Sequence, residues 1–450
     1  MKKPSLIAAL TLSSVFTAAV LVPTLASAQS SLSSSSLSSS SLQPGKPGTP
    51  KTREISDGLV VNLIGDILGP GISDHVGVMT GDLGTMTSIG EGEEFAIIFG
   101  DSWRGANFGQ GEWMSPVGVV AELDAEGRIV IKRPLNEGDH VEQLVEYSHH
   151  DGLTLIPSDI INLDGTLYMQ GMWNKGIGNV RSTQIWRSTD QGQTWQSVSR
   201  NSANYLGGKG QLITWEQGPD GYVYMMSTSF QRKNDVYLAR FLPEDIGDHT
   251  SWEHYQLNQD GTGTWGNTAT PILGEQVSAG EMSLRYIDGH WVLAMFNAET
   301  WAIEVRVSEE IQRDWNEIEP ASVVVAGAGG WGAEQDAGNF TQLYGGYIVP
   351  GSTLDNLDIV VSQWNTNNNS RYMSTQFNVK GLDTFFGIES DAPAARTMMA
   401  PQPERIGNQS VIQVEETPVD PTAADQLQLE GLMEEATDLS IVPLEDGARF

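Results

Sequence analysis

Short apolar and aromatic runs separated by Gly, Asp and Asn fill residues 54 to 386, and no helical periodicity persists across them. Such a pattern predicts an all-β domain and leaves a sandwich, a barrel or a propeller. A recurring hairpin chooses among the three. Asp164-Gly165 leads into Leu167-Tyr168, Asp220-Gly221 into Tyr222-Val223-Tyr224, and Asp288-Gly289 into Trp291-Val292-Leu293. Looser versions are Gly90 to Glu94 before Phe95-Ala96-Ile97-Ile98-Phe99, and Asp355-Asn356 before Ile359-Val360-Val361. Five units, unevenly spaced but near the length of a four-stranded blade, predict a five-bladed β-propeller.

A second signal sits in the outer half of these units. Ser188-Thr189-Asp190-Gln191-Gly192-Gln193-Thr194-Trp195 matches the Asp-box, S-x-D-x-G-x-T-W, at every defined position. Its role is mechanical: Asp190 can bond nearby N–H groups, Gly192 permits a left-handed turn, and Trp195 packs between sheets. Degenerate copies end at Trp315, preceded by Ser308, and at Trp252, preceded by Pro243-Glu244-Asp245.

The two ends of the chain are different in kind. Lys2 and Lys3, the apolar stretch Leu6 to Val22 and the tripeptide Ala26-Ser27-Ala28 read as an export signal over residues 1–28, cleaved after Ala28. Residues 29–53 are rich in Ser, Pro and Gly, a composition that cannot bury enough apolar area to offset backbone entropy, and are expected to be a flexible linker. Residues 387–450 read as a largely disordered acidic tail. The expected location is therefore outside the cell or at its wall. After signal cleavage no further stretch is long and apolar enough to cross a bilayer, and there is no Cys for a disulfide or a lipid.

Charge changes the choice of partners more than that of fold. With 57 acidic and 25 basic side chains, a net −32, the surface repels nucleic acid, anionic lipid and polyuronates. A neutral substrate is favoured. No cofactor or metal is called for, since His149-His150 lacks an accompanying ligand set, and a monomer is the expectation.

A propeller funnel gathers residues from the innermost strand of each blade. Asp82, in Thr80-Gly81-Asp82-Leu83-Gly84, precedes the first hairpin, and Asp101 follows the strand Phe95 to Gly100. Glycosidic cleavage requires two carboxyl groups, one protonating the leaving oxygen and one acting as nucleophile or activating water. Asp82 and Asp101 are the catalytic candidates; on spacing alone a turn-forming role is the commoner one for Asp beside Gly. Glu281 and Arg285 are expected on one strand face, binding sugar hydroxyls or forming a structural pair, and Asp159 has the same two readings. Trp103, Trp113, Trp173 with Asn174, and Trp364 with Asn365 are candidate sugar platforms, against a core role for each.

The motifs taken together resemble an actinobacterial family long catalogued as a domain of unknown function and now regarded as endo-D-arabinanase glycoside hydrolases. They are Thr80-Gly81-Asp82-Leu83-Gly84, Phe99-Gly100-Asp101-Ser102, Leu155-Ile156-Pro157-Ser158, Gly280-Glu281-Met282-Ser283, Tyr344 to Pro350 and Val361-Ser362-Gln363-Trp364-Asn365, in order across residues 60 to 380. The resemblance implies hydrolysis of α-linked D-arabinofuranose in arabinogalactan or lipoarabinomannan, with the acidic pair at Asp82 and Asp101. One departure is Val349, where a His before the Pro is expected.

Two rivals remain. A sialidase would need arginines clamping the substrate carboxylate, announced by Arg-Ile-Pro in the first blade; here the tripeptide is Leu155-Ile156-Pro157, and the acidity opposes an anionic substrate. A propeller that binds wall glycan or a protein without cutting it is the other.

Overall fold

The computed structural model describes residues 51–388, apart from 57, 91, 150, 151 and 177. The expected export signal, nearly all of the linker and the acidic tail lie outside the described residues, as does His150.

Five antiparallel sheets form a five-bladed β-propeller, as the hairpin count predicts. Blade 1 comprises Thr80–Ser88, Phe95–Trp103, Val117–Leu123 and Ile129–Pro134, with the short strand Trp113–Met114 against the end of the second. Blade 2 is Leu153–Leu163, Thr166–Lys175, Val180–Ser188 and Gln196–Ser202. Blade 3 is Leu212–Gln217, Val223–Thr228, Val236–Phe241, Glu253–Leu257 and Gly263–Gly266, and Pro271–Leu273 also pairs with its third strand. Blade 4 is Ala279–Ile287, His290–Asn297, Ala302–Ser308 and Ala321–Val325. Blade 5 joins both ends of the domain: Leu343–Ile348, Asn356–Trp364 and Tyr372–Lys380 are extended by Leu59–Asp66 and then Lys51–Ser56. Within the described residues that outermost strand pairs from Lys51 opposite Leu63, so Lys51 to Arg53, assigned to the linker above, lie in a strand. Closing the ring with strands from both ends fastens the first blade to the last, so no sheet is left to fray at the seam.

The inner strands of blades 1 to 5 contact one another in cyclic order and define the axis. All five sequence hairpins are the innermost hairpins of their blades. At the blade 2 turn both Asp164 and Gly165 have positive φ, 50° and 86°, the geometry whose twist matches the flanking strands. Apolar cores fill the gaps between sheets, with Trp215, Trp315, Phe99 and Phe296 among the largest side chains sealed inside.

The Ser188–Trp195 turn lies at the rim of blade 2. Asp190 accepts from Ser188 Oγ at 2.7 Å and from the Thr194 amide at 3.0 Å, and Trp195 Nε1 donates to Gly192 O at 3.0 Å. Burial pushes the Asp190 carboxyl up, but these hydrogen bonds outweigh it and hold the group below its ordinary range. A Cβ on Gly192 would stand 2.6 Å from the Leu135 side chain, so the turn braces blade 2 against blade 1. The same tryptophan-to-carbonyl bond recurs from Trp252 to Asp245 O and from Trp315 to Ile311 O.

Candidate active site

The ladder registers put Asp82, Asp101, Glu281 and Tyr344 at one end of the ring. Thr80 faces Trp103, Ala279 faces Asn297 and Tyr344 faces Ser362, each at the start of an inner strand. Around Leu83 the blade 1 ladder shifts register twice, with φ of 61° at Leu83 and 131° at Gly84. That bulge re-aims Asp82 toward the neighbouring strand. Gly100 then leaves the room it needs, for a Cβ there would lie 2.6 Å from Asp82 Oδ1. The glycine beside Asp101 in sequence is therefore part of the seat of Asp82.

Three carboxylates share this end. Asp82 Oδ2 accepts from the Tyr344 hydroxyl at 2.8 Å, and Tyr372 is within hydrogen-bonding reach of the same group. Asp101 is within reach of Ser115 and Trp113. Glu281 Oε1 takes Arg232 Nη2 at 2.6 Å, and the guanidinium also lies over the rings of Phe296 and Tyr344, at 5.2 and 5.3 Å. Each acid keeps one buried oxygen without a protein partner: Asp82 Oδ1, Asp101 Oδ1 and Glu281 Oε2. Buried, unpaired acceptors are costly, and three at one place mark a site shaped for a ligand rather than for packing.

The electrostatics separate the two aspartates. Burial, then the charge of Asp101, push Asp82 up to about 8 against the lowering hydrogen bonds of Tyr372 and Tyr344, and Glu281 adds to the rise. Burial pushes Asp101 up to about 6 against bonds from Ser115 and Trp113. Near neutral pH one carboxyl of the pair is protonated and the other ionised, the division of labour that acid–base chemistry requires.

Other expected site residues are placed differently. Asp159 is fully buried and takes Thr85, Thr214 Oγ1 at 2.7 Å, the Trp215 amide at 3.1 Å and Arg285 at 3.2 Å. Arg285 also donates to Met86 O at 2.7 Å, so the pair knots together the inner strands of blades 1 to 4. This corrects the expected sugar contacts: both side chains are committed to holding blades. Nor do Glu281 and Arg285 pair with each other, because four residues of strand separate them by about 13 Å. Trp173 is buried between Tyr147 and Trp186 and donates to Gln184, and buried Asn174 bonds Met172 O, so neither offers a face to a sugar. Trp103 is buried against Phe108 and against Tyr372, the tyrosine within hydrogen-bonding reach of Asp82. Trp364 is half-buried and stacks on Phe108, and Asn365 shapes its own loop through Ser370 and Asn367. Val349 is sealed in the core, so the departure from the family pattern falls on packing.

Sequence reading missed Arg232, Tyr372 and Ser115, which reach the site from loops and strand starts with no local motif. Tyr344 had a signal in the Gly345-Gly346 pair that follows it, where the ladder shifts register. Two hollows elsewhere, one lined by Gln170 and Ser199 and one by Asp220, Tyr224 and Trp291, contain neither aspartate. Among the described residues no helix is long and apolar enough to cross a membrane.

Fold and site together define a five-bladed propeller with a carboxylate-lined end. Residues 69–378 match the family described as "Domain of unknown function (DUF4185)", and the chain belongs to that family. It is 30% identical over 320 residues, 66% of this chain and 92% of the other, to a Mycolicibacterium smegmatis protein named "Uncharacterized 35.9 kDa protein in asd 3'region". Among solved structures, a Bacteroides ovatus protein shares the fold at 13% identity and a TM-score of 0.54, over 79% of this chain and all of that one. A "GH43 Endo-Arabinanase from Bacillus licheniformis" aligns more loosely, with 11% identity and a TM-score of 0.40 over 69% of this chain and 96% of that one.

Proposed function

We propose that this chain is a secreted glycoside hydrolase that cleaves α-D-arabinofuranosyl linkages of cell-wall arabinan, with Asp82 as proton donor and Asp101 as the ionised partner. The observation that carries this reading is the pair itself. Two aspartates on adjacent strands each leave a buried oxygen unpartnered, and burial raises both carboxyls, Asp82 further because the charge of Asp101 adds to it. Protonated Asp82 delivers its proton to the leaving glycosidic oxygen, while Asp101 attacks the anomeric carbon or activates a water toward it. Tyr344 holds the donor in place, and Arg232 pairs with Glu281 close by. The arabinan specificity rests on the motif resemblance, and the net charge of −32 agrees with a neutral glycan. Location at the wall rests on the export signal read at residues 1–28.

The test is incubation of the full chain with purified mycobacterial arabinogalactan. Oligosaccharides released by wild type and lost on Asp82→Asn and on Asp101→Asn support the reading. Glycan that is bound and left whole would make the protein a non-catalytic wall binder.

A further inference from the structure

Among the described residues most aromatic side chains are buried or half-buried. Among the described residues the exposed large apolar side chains are Val130, Leu242 and Trp301, and Trp301 is both the only aromatic and the most open, at 47%. It ends the turn that joins His290–Asn297 to Ala302–Ser308 in blade 4. Because Asn297 faces Ala279 in the ladder, that turn lies at the same end of the sheet as Glu281.

A line of contacts connects it to the acids. The Trp301 ring meets the edge of Phe296 at 6.0 Å. Phe296 packs over Gly280, where a Cβ would lie 2.8 Å from its ring, and under the Arg232 guanidinium at 5.2 Å. Arg232 reaches Glu281 and covers Tyr344, whose hydroxyl holds Asp82.

The turn is also held rigid from behind. Trp301 O accepts from the Ala326 amide at 2.9 Å, and Thr300 Oγ1 and Asn297 Nδ2 both donate to Glu304 Oε1, at 2.7 and 3.0 Å. Glu304 is itself paired at 2.9 Å with Arg306, and both are buried. Trp301 adopts φ 54°, a conformation a large side chain rarely takes. These bonds fix the backbone of the turn and leave the Trp301 indole 47% exposed. A preorganised flat apolar face at the same end of the ring as polar side chains is what a sugar ring needs, since its C–H face stacks on an aromatic ring while its hydroxyls stay wet.

We propose that Trp301 is the platform of an outlying subsite that stacks a neutral sugar ring of the same glycan chain whose linkage lies at Asp82 and Asp101. This rests on the hydrolase reading above. It places at least one bound sugar on the blade 4 side of the cleavage point.

The experiment compares wild type, Trp301→Ala, Trp301→Phe and the remote control Leu242→Ala on arabinan fragments of graded length prepared from mycobacterial arabinogalactan. Trp301→Ala should raise KM by about tenfold on long fragments, the equivalent of one aromatic stacking contact, with kcat nearly unaffected. The penalty should grow with fragment length, Trp301→Phe should recover most of it, and Leu242→Ala should behave as wild type. An equal KM for Trp301→Ala and wild type at every length would overturn the subsite while leaving the hydrolase reading intact. Wild type that cleaves no fragment would overturn the hydrolase reading. In that event, tryptophan fluorescence would decide the platform: a spectral change on adding long fragments that disappears in Trp301→Ala retains it, and the same change in both proteins removes it.

Discussion

Replacing Tyr344 by Phe deletes one hydroxyl and leaves the ring beneath Arg232 in place. In the native site that hydroxyl donates to Asp82 Oδ2 at 2.8 Å, a bond that favours the ionised acid and opposes the burial that lifts Asp82 to about 8. A hydrogen bond to a charged group contributes about 1.5–3 kcal/mol, and one pH unit corresponds to about 1.4 kcal/mol, so the loss should move Asp82 upward by about one to two pH units. The sign is fixed: a carboxylate deprived of a donor holds its proton more tightly. Asp101→Asn should move Asp82 the opposite way, because the charge that helps raise it disappears. Carboxyl ¹³C NMR of protein labelled at aspartate follows the titration directly and needs no substrate. A Tyr344→Phe titration that stays put or moves down, or an Asp101→Asn variant in which Asp82 titrates higher, would refute the electrostatic account of the pair.

Other consequences follow from the same contacts. A carboxyl raised from 3.8 to about 8 contributes stability that is present below about 3.8 and lost as pH climbs to about 8, so Asp82→Asn should raise the Tm above wild type at pH 8–9 and change it little at pH 4. A wild-type advantage at alkaline pH would contradict this. Arg285→Ala strips the counter-charge from buried Asp159 and should lower stability by about 3–5 kcal/mol in a denaturant titration; a loss below about 1 kcal/mol would show that the inter-blade knot carries little. Gly100→Ala drives a methyl group to within 2.6 Å of Asp82 Oδ1 and 2.9 Å of the Leu83 side chain, so glycan cleavage should fall at least about tenfold and the Tm should drop; full activity would mean Asp82 is not seated as described.

What could be read in the sequence was whatever has a short-range signature. The Asp-Gly turns lie within a few residues of the strands they join, and all five innermost hairpins occur where turn chemistry predicts. Asp82 and Asp101 are flanked by glycines that serve the fold locally, and both reach the same end of the ring. Partners set by closure of the ring left no such trace. Arg232 meets Glu281 across 49 positions, and Tyr344 meets Asp82 across 262, distances over which no periodicity carries information. The aromatic platforms erred for a related reason: composition tells that Trp is abundant, whereas which ring is sealed depends on the neighbouring blade. Trp173 is enclosed edge-on by the rings of Tyr147 and Trp186, while Trp301 sits on a turn without a motif.

The central claim is that Asp82 and Asp101 divide one proton between them over a glycosidic bond. The most direct measurement is kcat/KM for release of oligosaccharides from mycobacterial arabinogalactan between pH 5 and 9. A bell with limbs near 6 and 8 is predicted, Asp101 ionising on the acid side and Asp82 losing its proton on the alkaline side. A rate that is flat across that range, or a profile unchanged in Asp101→Asn, would contradict it.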